Sequence, residues 1–462
     1  MASLRLDEIA AMTKGRILQG DHGLIVRDFG IDSRQIAPGG LFFAVKDKRD
    51  GHDFIPDARR AGAAAAVVSR NVQPPDRDFA LIRVEDTVQS LQELARSWLA
   101  SHPVKVVGIT GSAGKTTTKE FSAVLLGARR QVLKSEKNLN NHLGLALSVL
   151  RLSPQDEVAV LEMAMSRAGE IQALVRIAPP DISVITNVNP VHLEFFESLE
   201  AVALAKKEIL EGTKPGGTAV LNADDPLVRK ISADFTGRKI LFGLSSQCEV
   251  RAAAVRRSGF EGMSFELWMA GERARMSFPF LSECYLYNLL AAAGVARAFG
   301  LRPKDLVEPV SRLKPFPGRG LLVSLKRGVK LVDDTYNSNP KALESALKSL
   351  ASLPAKRRVA IIADMLELGK NESGFHSRAG RQAVESGWDL LVTIGPRSLH
   401  AAEGAAEAGL GKDRIITFAD AAEAAAKILP LLRDGDLILV KGSRGMKTEI
   451  VAKKIIEQME EA

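Results

Sequence analysis

The segment 106–118, which reads VVGITGSAGKTTT, constrains the fold of this chain more than any other stretch. An apolar strand leads into a glycine-containing turn, and a helix is predicted to follow the turn. Glycines in such a turn let backbone N–H groups converge on phosphate oxygens, and the helix N-terminus adds the positive end of its dipole. The segment therefore predicts a nucleotide-phosphate site on an α/β domain.

Two side chains of this segment have expected roles in nucleotide binding. Lys115 can reach the β- and γ-phosphates, and the Thr116 hydroxyl can ligate Mg²⁺. The spacing departs from the common G-x-x-x-x-G-K-[ST] loop, because Ile109 stands where the first glycine is expected. The alternative is a tight strand–helix turn with an incidental lysine. The residues predicted to contact the nucleotide are Gly111, Ser112, Ala113, Gly114, Lys115, Thr116 and Thr117.

The rest of the chain predicts an α/β protein with three domains, about the number expected for 462 residues. Residues 1–102 form a small N-terminal α/β domain. Residues 103–317 alternate short apolar strands with helices, which favours a doubly wound, mostly parallel sheet around the phosphate loop. Residues 318–462 repeat that alternation and predict a Rossmann-like domain. A stretch rich in proline and glycine, from 302 to 320, marks the second boundary.

Composition indicates the cellular compartment and the classes of partner. The chain has two cysteines, too few for a disulfide framework, which fits a reducing compartment. Asp7 and Glu8 lie where a signal peptide would be apolar, so the first twenty or so residues are interpreted as a short amphipathic helix. The net charge is +8, but its lysines and arginines are spread along the chain. We therefore expect a cytoplasmic monomer with no membrane or nucleic-acid partner.

Two further residues stand out from their local pattern. Glu162 ends a buried strand, and a carboxylate at the carboxyl end of a parallel strand points into the ligand crevice. Lys206 lies on a helix predicted over 199–211, capped by Ser198, where it shares a face with apolar residues at helical spacing. Such a lysine should have a lowered pKa and a neutral amine, which can react with CO₂ to form a carbamate. The alternative is a lysine that extends its amine to solvent.

The TGSAGKTT form of the phosphate loop resembles the Mur ligase family, and the resemblance extends over the whole chain. Further stretches carry it: DSR at 32–34, PGGLFFA at 38–44, DGHDF at 50–54, KNLNNHLG at 137–144, PGRG at 317–320 and DDTYNSNP at 333–340. Within the family, DMLELG at 364–369 and VKGSRGMK at 440–447 favour the branch that adds the dipeptide D-alanyl-D-alanine.

The resemblance implies an ATP-dependent ligase of cell-wall precursor synthesis, with ATP and Mg²⁺ as cofactors. Its implied substrates are UDP-N-acetylmuramoyl-tripeptide and D-alanyl-D-alanine, which are joined through an acyl phosphate. The implied metal ligands are Thr116, Glu162, His192 and carbamylated Lys206. The implied contacts to the sugar-peptide substrate are Ser33, Arg34, Asn138, Asn140 and Asn141. The further implied contacts to ATP are Asn288, Arg319, Asp334 and Asn337, and Arg319 reaches the γ-phosphate from the third domain.

One stretch departs from the family pattern. The family has Gly-x-His-Asn before the position of Asn288, whereas this chain has Ser-Glu-Cys-Tyr at 282–285. The chain is therefore expected to be a divergent member with altered adenine contacts. Two alternatives stay open: a related ligase that adds diaminopimelate, lysine or folate-linked glutamate, and a P-loop switch that only hydrolyses nucleotide.

Overall fold

The computed structural model describes residues 2–136 and 139–460, which form three successive α/β units. Each unit is built on one sheet, with five, nine and six strands in chain order, and a two-stranded ribbon accompanies the first. The predicted fold class, three α/β units with mostly parallel sheets, is confirmed. The proposed boundaries after residues 102 and 317 fall between elements and remain predictions.

The first unit has a mixed sheet in the order β2-β7-β6-β5-β4, in which only β2 is antiparallel to its neighbour. The ribbon pairs β1 with β3. The elements are β1 (Leu4–Arg5), α1 (Leu6–Met12), β2 (Arg16–Gln19), β3 (Ile25–Val26), β4 (Phe29–Gly30), β5 (Leu41–Phe43), α2 (Ile55–Ala61), β6 (Ala65–Val68), β7 (Ala80–Arg83) and α3 (Thr87–Ala100).

The N-terminal helix is shorter than its prediction. Helix α1 ends at Met12, and strand β2 follows within the segment that was interpreted as one helix. Strand β2 alternates exposed and half-buried residues, and its pairing with β7 places it at the sheet edge. A four-residue edge strand of this kind is stabilised by a partner distant in sequence, so its own residues carry little signal.

The second unit surrounds the phosphate loop. Its elements are β8 (Lys105–Thr110), α4 (Lys115–Gly127), β9 (Val132–Lys134), α5 (His142–Leu150), β10 (Val158–Glu162), α6 (Glu170–Ile177), β11 (Ile182–Ile185), α7 (Leu199–Glu211), β12 (Thr218–Asn222), α8 (Pro226–Ile231), β13 (Arg238–Gly243), β14 (Val250–Arg257), β15 (Met263–Met269), β16 (Glu272–Phe278), α9 (Glu283–Ala298) and α10 (Pro303–Ser311). The strand order β9-β10-β8-β11-β12-β13-β14 is parallel throughout, as predicted.

An antiparallel edge, β14-β15-β16, completes this sheet and was not predicted. Strand β15 alternates strictly, with Met263, Phe265, Leu267 and Met269 buried and the residues between them half-buried. This alternation is the pattern of a strand with one face on the core, so the signal was present in the sequence. The edge extends the core under α9 and also packs against α4, through Phe278 and Phe121.

The third unit has the order β17-β18-β22-β19-β20-β21, with only β17 antiparallel. Its elements are β17 (Leu321–Ser324), β18 (Lys330–Asp334), α11 (Pro340–Ala351), β19 (Arg357–Ala363), α12 (Glu372–Glu385), β20 (Leu390–Ile394), α13 (Leu399–Glu407), β21 (Ile415–Phe418), α14 (Ala421–Lys427), β22 (Asp436–Lys441) and α15 (Glu449–Met459). Helices α9 and α11 contact each other and join the second unit to the third.

None of the helices in the described ranges has the length and apolar character needed to span a bilayer.

Candidate active site

The phosphate loop is held in a conformation that requires glycine at two positions. Gly114 has φ +81°, and a Cβ at this position would lie 2.0 Å from Oδ1 of Asn288. A Cβ on Gly111, at φ +149°, would lie 1.8 Å from Oγ1 of Thr186. A larger residue at either position would force the side chain of Thr186 or Asn288, or the loop itself, to shift. The loop therefore fits closely between β11 and α9.

Hydrogen bonds from the end of β11 fix the same loop. The Thr186 hydroxyl donates to the carbonyl of Ala113 at 2.6 Å. The Ala113 N–H donates to Oδ1 of Asn187 at 2.9 Å. Because both partners follow a parallel strand beside β8, the loop is positioned by the sheet rather than by its own residues alone.

Lys115 begins helix α4 and folds back over the loop. Its Nζ donates to the carbonyl of Gly111 at 2.8 Å. Burial lowers the pKa of Lys115; the nearby carboxylate of Glu162 opposes this shift, and the charge of Arg319 adds to it. Arg319 belongs to the third unit, so the charge of that unit acts on the lysine of the loop.

Glu162 is the buried carboxylate of the site, with 3% of its surface exposed. Its Oε2 accepts a hydrogen bond from the Thr116 hydroxyl at 2.8 Å, and its Oε1 accepts one from the Asn140 amide at 2.9 Å. Glu162 ends β10, and Thr116 lies just after β8. The two side chains meet because β10 and β8 are neighbouring strands. A carboxylate and a hydroxyl are the hard oxygen donors that suit Mg²⁺, so this donor set fits such an ion.

Lys206 is buried on helix α7, which runs from Leu199 to Glu211 with Ser198 as its cap, as predicted. Burial, followed by the charge of Lys115, lowers the pKa of Lys206 well below the usual value. The amine is therefore disposed to be neutral, as the sequence pattern predicted. Lys207, the next residue, is half-buried and pairs with Asp234.

His192 lies in the loop after β11, in the left-handed region with φ 57°. Its Nδ1 contacts the carboxylate of Glu367, a residue of the third unit. Burial lowers the pKa of His192, Glu367 opposes that shift, and the charge of Lys115 reinforces it. No group of three or more His, Cys, Asp and Glu side chains gathers at one point in residues 2–136 and 139–460.

The third unit supplies the opposite wall. The Arg319 guanidinium stacks over the ring of Tyr336, 3.9 Å from its centroid. Asp334 accepts a hydrogen bond from Lys441 at 2.6 Å and one from the Tyr285 hydroxyl at 3.0 Å. Tyr285 stands where the family pattern has asparagine, so this departure adds a contact between the second unit and the third.

A cavity of about 1030 Å³ lies between these walls. Most of the predicted site residues line it: Ser112, Ala113, Gly114, Lys115, Thr116, Thr117, Asn140, Asn141, Glu162, His192, Asn288, Arg319, Asp334 and Asn337. Gly111 and Lys206 are not among the lining residues. The Gly111 carbonyl accepts a hydrogen bond from Lys115, and Lys206 is buried on α7. Asn141 also caps helix α5 by accepting from the Gly144 N–H at 2.8 Å.

The predicted substrate residues of the first unit lie outside this lining. Arg34 is exposed, and its guanidinium forms two hydrogen bonds with Asp32, at 2.9 Å and 2.8 Å. Ser33 beside it is buried. Asn138 falls outside the described residues.

The lining also includes residues that were not predicted, among them Tyr285, Tyr336 and Lys441, and Glu367 contacts the lining residue His192. Lys441 ends the buried strand β22, and Glu367 follows β19, so the carboxyl ends of parallel strands could have pointed to both. Tyr285 was noted only as a departure from the family pattern. Its contact with Asp334 joins two units, and sequence alone carries no signal for such a pairing.

Three family models match successive parts of the chain: "Mur ligase family, catalytic domain" at 26–98, "Mur ligase middle domain" at 109–296, and "Mur ligase, glutamate ligase domain" at 318–444. A curated relative from Bacillus subtilis (strain 168), named UDP-N-acetylmuramoyl-tripeptide–D-alanyl-D-alanine ligase, is 34% identical over 99% of each chain. The chain belongs to the Mur ligase family. The resemblance in the sequence motifs is thereby confirmed.

Solved structures of this family match the whole architecture. MurF from Acinetobacter baumannii superposes with a TM-score of 0.90 at 27% identity, covering 99% of both chains. MurF ligase from Thermotoga maritima, solved in complex with ADP, has a TM-score of 0.83 at 32% identity and covers 94% of this chain and 98% of that one. The arrangement of all three units is therefore that of a Mur ligase.

Proposed function

We propose that this Mur ligase joins D-alanyl-D-alanine to UDP-N-acetylmuramoyl-tripeptide at the expense of ATP, in peptidoglycan precursor synthesis. The observation that carries the proposal is the interdomain cavity, where the phosphate loop with Lys115 faces Arg319 from the third unit. The name of the Bacillus relative supports these substrates, and the ADP complex of the Thermotoga protein supports ATP as the nucleotide.

The phosphates of ATP lie, in this proposal, on the backbone N–H groups of residues 111–116 at the start of α4. Lys115 exchanges its hydrogen bond with Gly111 for the β- and γ-phosphate oxygens. Arg319 approaches the γ-phosphate from the opposite wall. The remaining nucleotide contacts come from Asn288, Asp334 and Asn337, which line the cavity beyond the loop.

The first chemical step is an attack by a carboxylate of the tripeptide on the γ-phosphorus, which yields an acyl phosphate and ADP. Both reactants are anions, so their approach depends on positive charge preorganised at the reacting centre. Lys115 and Arg319 provide that charge from two units of the chain. The amine of D-alanyl-D-alanine then attacks the acyl carbon, loses a proton and expels phosphate, so the amide bond forms. Enclosure between the units protects the acyl phosphate from water.

The donor set beside the loop suits Mg²⁺, with Thr116, Glu162, His192 and carbamylated Lys206 as the residues that would hold it. When bound, Mg²⁺ neutralises charge on the phosphate oxygens. The carbamate arises when the neutral amine of Lys206 attacks CO₂, which forms a C–N bond and releases one proton. The buried position of Lys206 and its lowered pKa support this modification.

The sugar-peptide substrate extends from the cavity towards the first unit. Asn140 and Asn141 line the cavity and offer amide groups to this substrate, and Asn138 belongs to the same asparagine-rich stretch. We assign the uridine diphosphate to Ser33 and Arg34. To bind diphosphate, the Arg34 guanidinium must leave its pairing with Asp32. Both cysteines are free, which supports a cytoplasmic location, and a monomer is expected.

A phosphate-release assay tests the proposal and separates the rival activities. Each reaction contains ATP, Mg²⁺, one acid and one amine acceptor. The pairs are UDP-N-acetylmuramoyl-tripeptide with D-alanyl-D-alanine, UDP-N-acetylmuramoyl-L-alanyl-D-glutamate with diaminopimelate or lysine, and a folate with glutamate. We expect phosphate release and an amide product with D-alanyl-D-alanine alone. A related ligase would respond to one of the other acceptors instead. Release that is independent of every acceptor would identify a nucleotide switch and contradict the proposal.

A further inference from the structure

His192 and Glu367 meet across the junction between the second unit and the third. Both residues have left-handed backbone angles, with φ 57° at His192 and φ 63° at Glu367. Such angles are costly for residues other than glycine, and seven residues in the described ranges adopt them. Two of the seven contact each other, and one of the two lines the cavity. This contact between the units therefore joins two residues that both have costly backbone angles.

The loop that carries Glu367 is fixed from behind. The Met365 N–H donates to Nε2 of the buried His376 at 2.9 Å, and the Leu366 N–H donates to Oγ of Ser443 at 2.9 Å. On its front the loop packs closely against the loop of His192, because a Cβ on Gly369 would lie 2.7 Å from the carbonyl oxygen of Leu193. The backbone on both sides of Glu367 is therefore held by hydrogen bonds and close packing, and this ordered loop directs Glu367 towards His192.

We infer that Glu367 is a positioning residue, which fixes the tautomer and ring orientation of His192 only when the third unit is docked on the second. The inference rests on the proposed function, because it gives the Nε2 atom of His192 its role in the cavity. It also gives a role to the DMLELG stretch at 364–369, which the nucleotide and substrate contacts leave unexplained.

The physical basis is the difference between the two ring nitrogens. A carboxylate that accepts a hydrogen bond from Nδ1–H keeps the proton on that nitrogen and leaves the lone pair on Nε2. Histidines that ligate metals are oriented by a carboxylate or carbonyl in this way, and loss of that partner typically costs about 10- to 100-fold in metal affinity or activity. Here the carboxylate comes from another unit, so His192 has the partner that orients its ring only when the two units are docked.

An ordinary ion pair between the units is the competing explanation. The Glu367 side chain is 45% exposed, and exposed pairs contribute little to stability. A pair of that kind would hold the units together weakly without determining which nitrogen of His192 carries the proton. The tautomer of His192 therefore distinguishes the two explanations.

The test uses full-length protein with ¹⁵N-labelled histidine and three variants. Glu367→Gly removes the carboxylate and suits the left-handed backbone, so the loop keeps its conformation. Glu367→Gln keeps an oxygen that accepts from Nδ1–H. Glu194→Gln is the matched control, because this exposed carboxylate is close in sequence to His192. The ring ¹⁵N signals of His192, assigned by their loss in His192→Asn, report its tautomer.

We expect the Nδ1–H tautomer in the wild type, in Glu367→Gln and in Glu194→Gln, and a mixture of tautomers in Glu367→Gly. We expect kcat for phosphate release to fall about 10- to 100-fold in Glu367→Gly, with Glu367→Gln restoring most of it. An unchanged tautomer in Glu367→Gly would overturn the inference, whatever its activity. If the wild-type protein shows no acceptor-dependent phosphate release, the proposed function is wrong. The tautomer of His192 would still decide whether Glu367 is a positioning residue.

Discussion

Replacement of Gly114 by alanine tests how the phosphate loop is built. Gly114 precedes α4 with φ +81°, and the added methyl group would lie 2.0 Å from Oδ1 of Asn288. Real Cβ contacts essentially never fall below 3.0 Å, so Asn288 or the loop must move by about 1 Å. Since Asn288 lines the cavity, we expect the substitution to disturb nucleotide binding as well as stability.

The magnitude follows from two separate costs. Alanine in the left-handed region costs about 1–2 kcal/mol. Displacing a packed neighbour typically costs about 1–3 kcal/mol more. Gly169 provides the matched control, because it precedes α6 with φ +85° and a methyl group there would meet nothing within 4 Å. Gly169→Ala therefore carries the first cost without the second.

Calorimetric titration with ADP and Mg²⁺ measures the difference. If the extra strain must be relieved before nucleotide binds, Gly114→Ala should weaken ADP by about 5- to 150-fold, the equivalent of 1–3 kcal/mol. Gly169→Ala should bind ADP as the wild type does, although its thermal midpoint falls. Equal affinities in the two variants would refute the reasoning, because the contact with Asn288 would then have no part in holding the loop.

Three further outcomes are expected. Lys115→Met should reduce the rate of amide formation by at least about 100-fold in a phosphate-release assay, and near-normal turnover would mean that the site is misplaced. Lys206→Ala should lose activity and regain much of it on addition of short carboxylic acids, which replace the carbamate; a lack of rescue would argue against the modification. Burial raises the pKa of Cys248 and Cys284 to about 11, so at pH 8 only about 0.1% of each thiol is ionised. Native protein should therefore react slowly with thiol reagents and unfolded protein rapidly, and fast labelling of the native protein would contradict this.

The sequence predicted the parts of the molecule that local patterns determine. The phosphate loop, the buried strand that ends at Glu162, and the apolar face that buries Lys206 all depend on residues within a few turns of each other. Periodicity and glycine placement are sufficient for such features. The antiparallel edge β14-β15-β16 had a similar local signal, because the residues of β15 alternate between buried and half-buried. It was missed because the expected pattern was parallel strands separated by helices.

Contacts between the units could not be predicted in the same way. Tyr285 with Asp334 and His192 with Glu367 are separated by 49 and 175 residues, and each pair forms only because two units dock. Arg34 shows the same limit of sequence analysis for a residue that was predicted. Its type suits a diphosphate, but the structure pairs its guanidinium with Asp32, two residues away. Residue type sets what a side chain can bind, and tertiary packing decides what it meets.

The most direct test is a crystal structure of the full chain with Mg²⁺ and a non-hydrolysable ATP analogue. The account predicts the triphosphate on the backbone of residues 111–116, with Lys115 Nζ on the β- and γ-phosphates and the Arg319 guanidinium at the γ-phosphate. A triphosphate bound elsewhere, with the turn between β8 and α4 vacant, would contradict it.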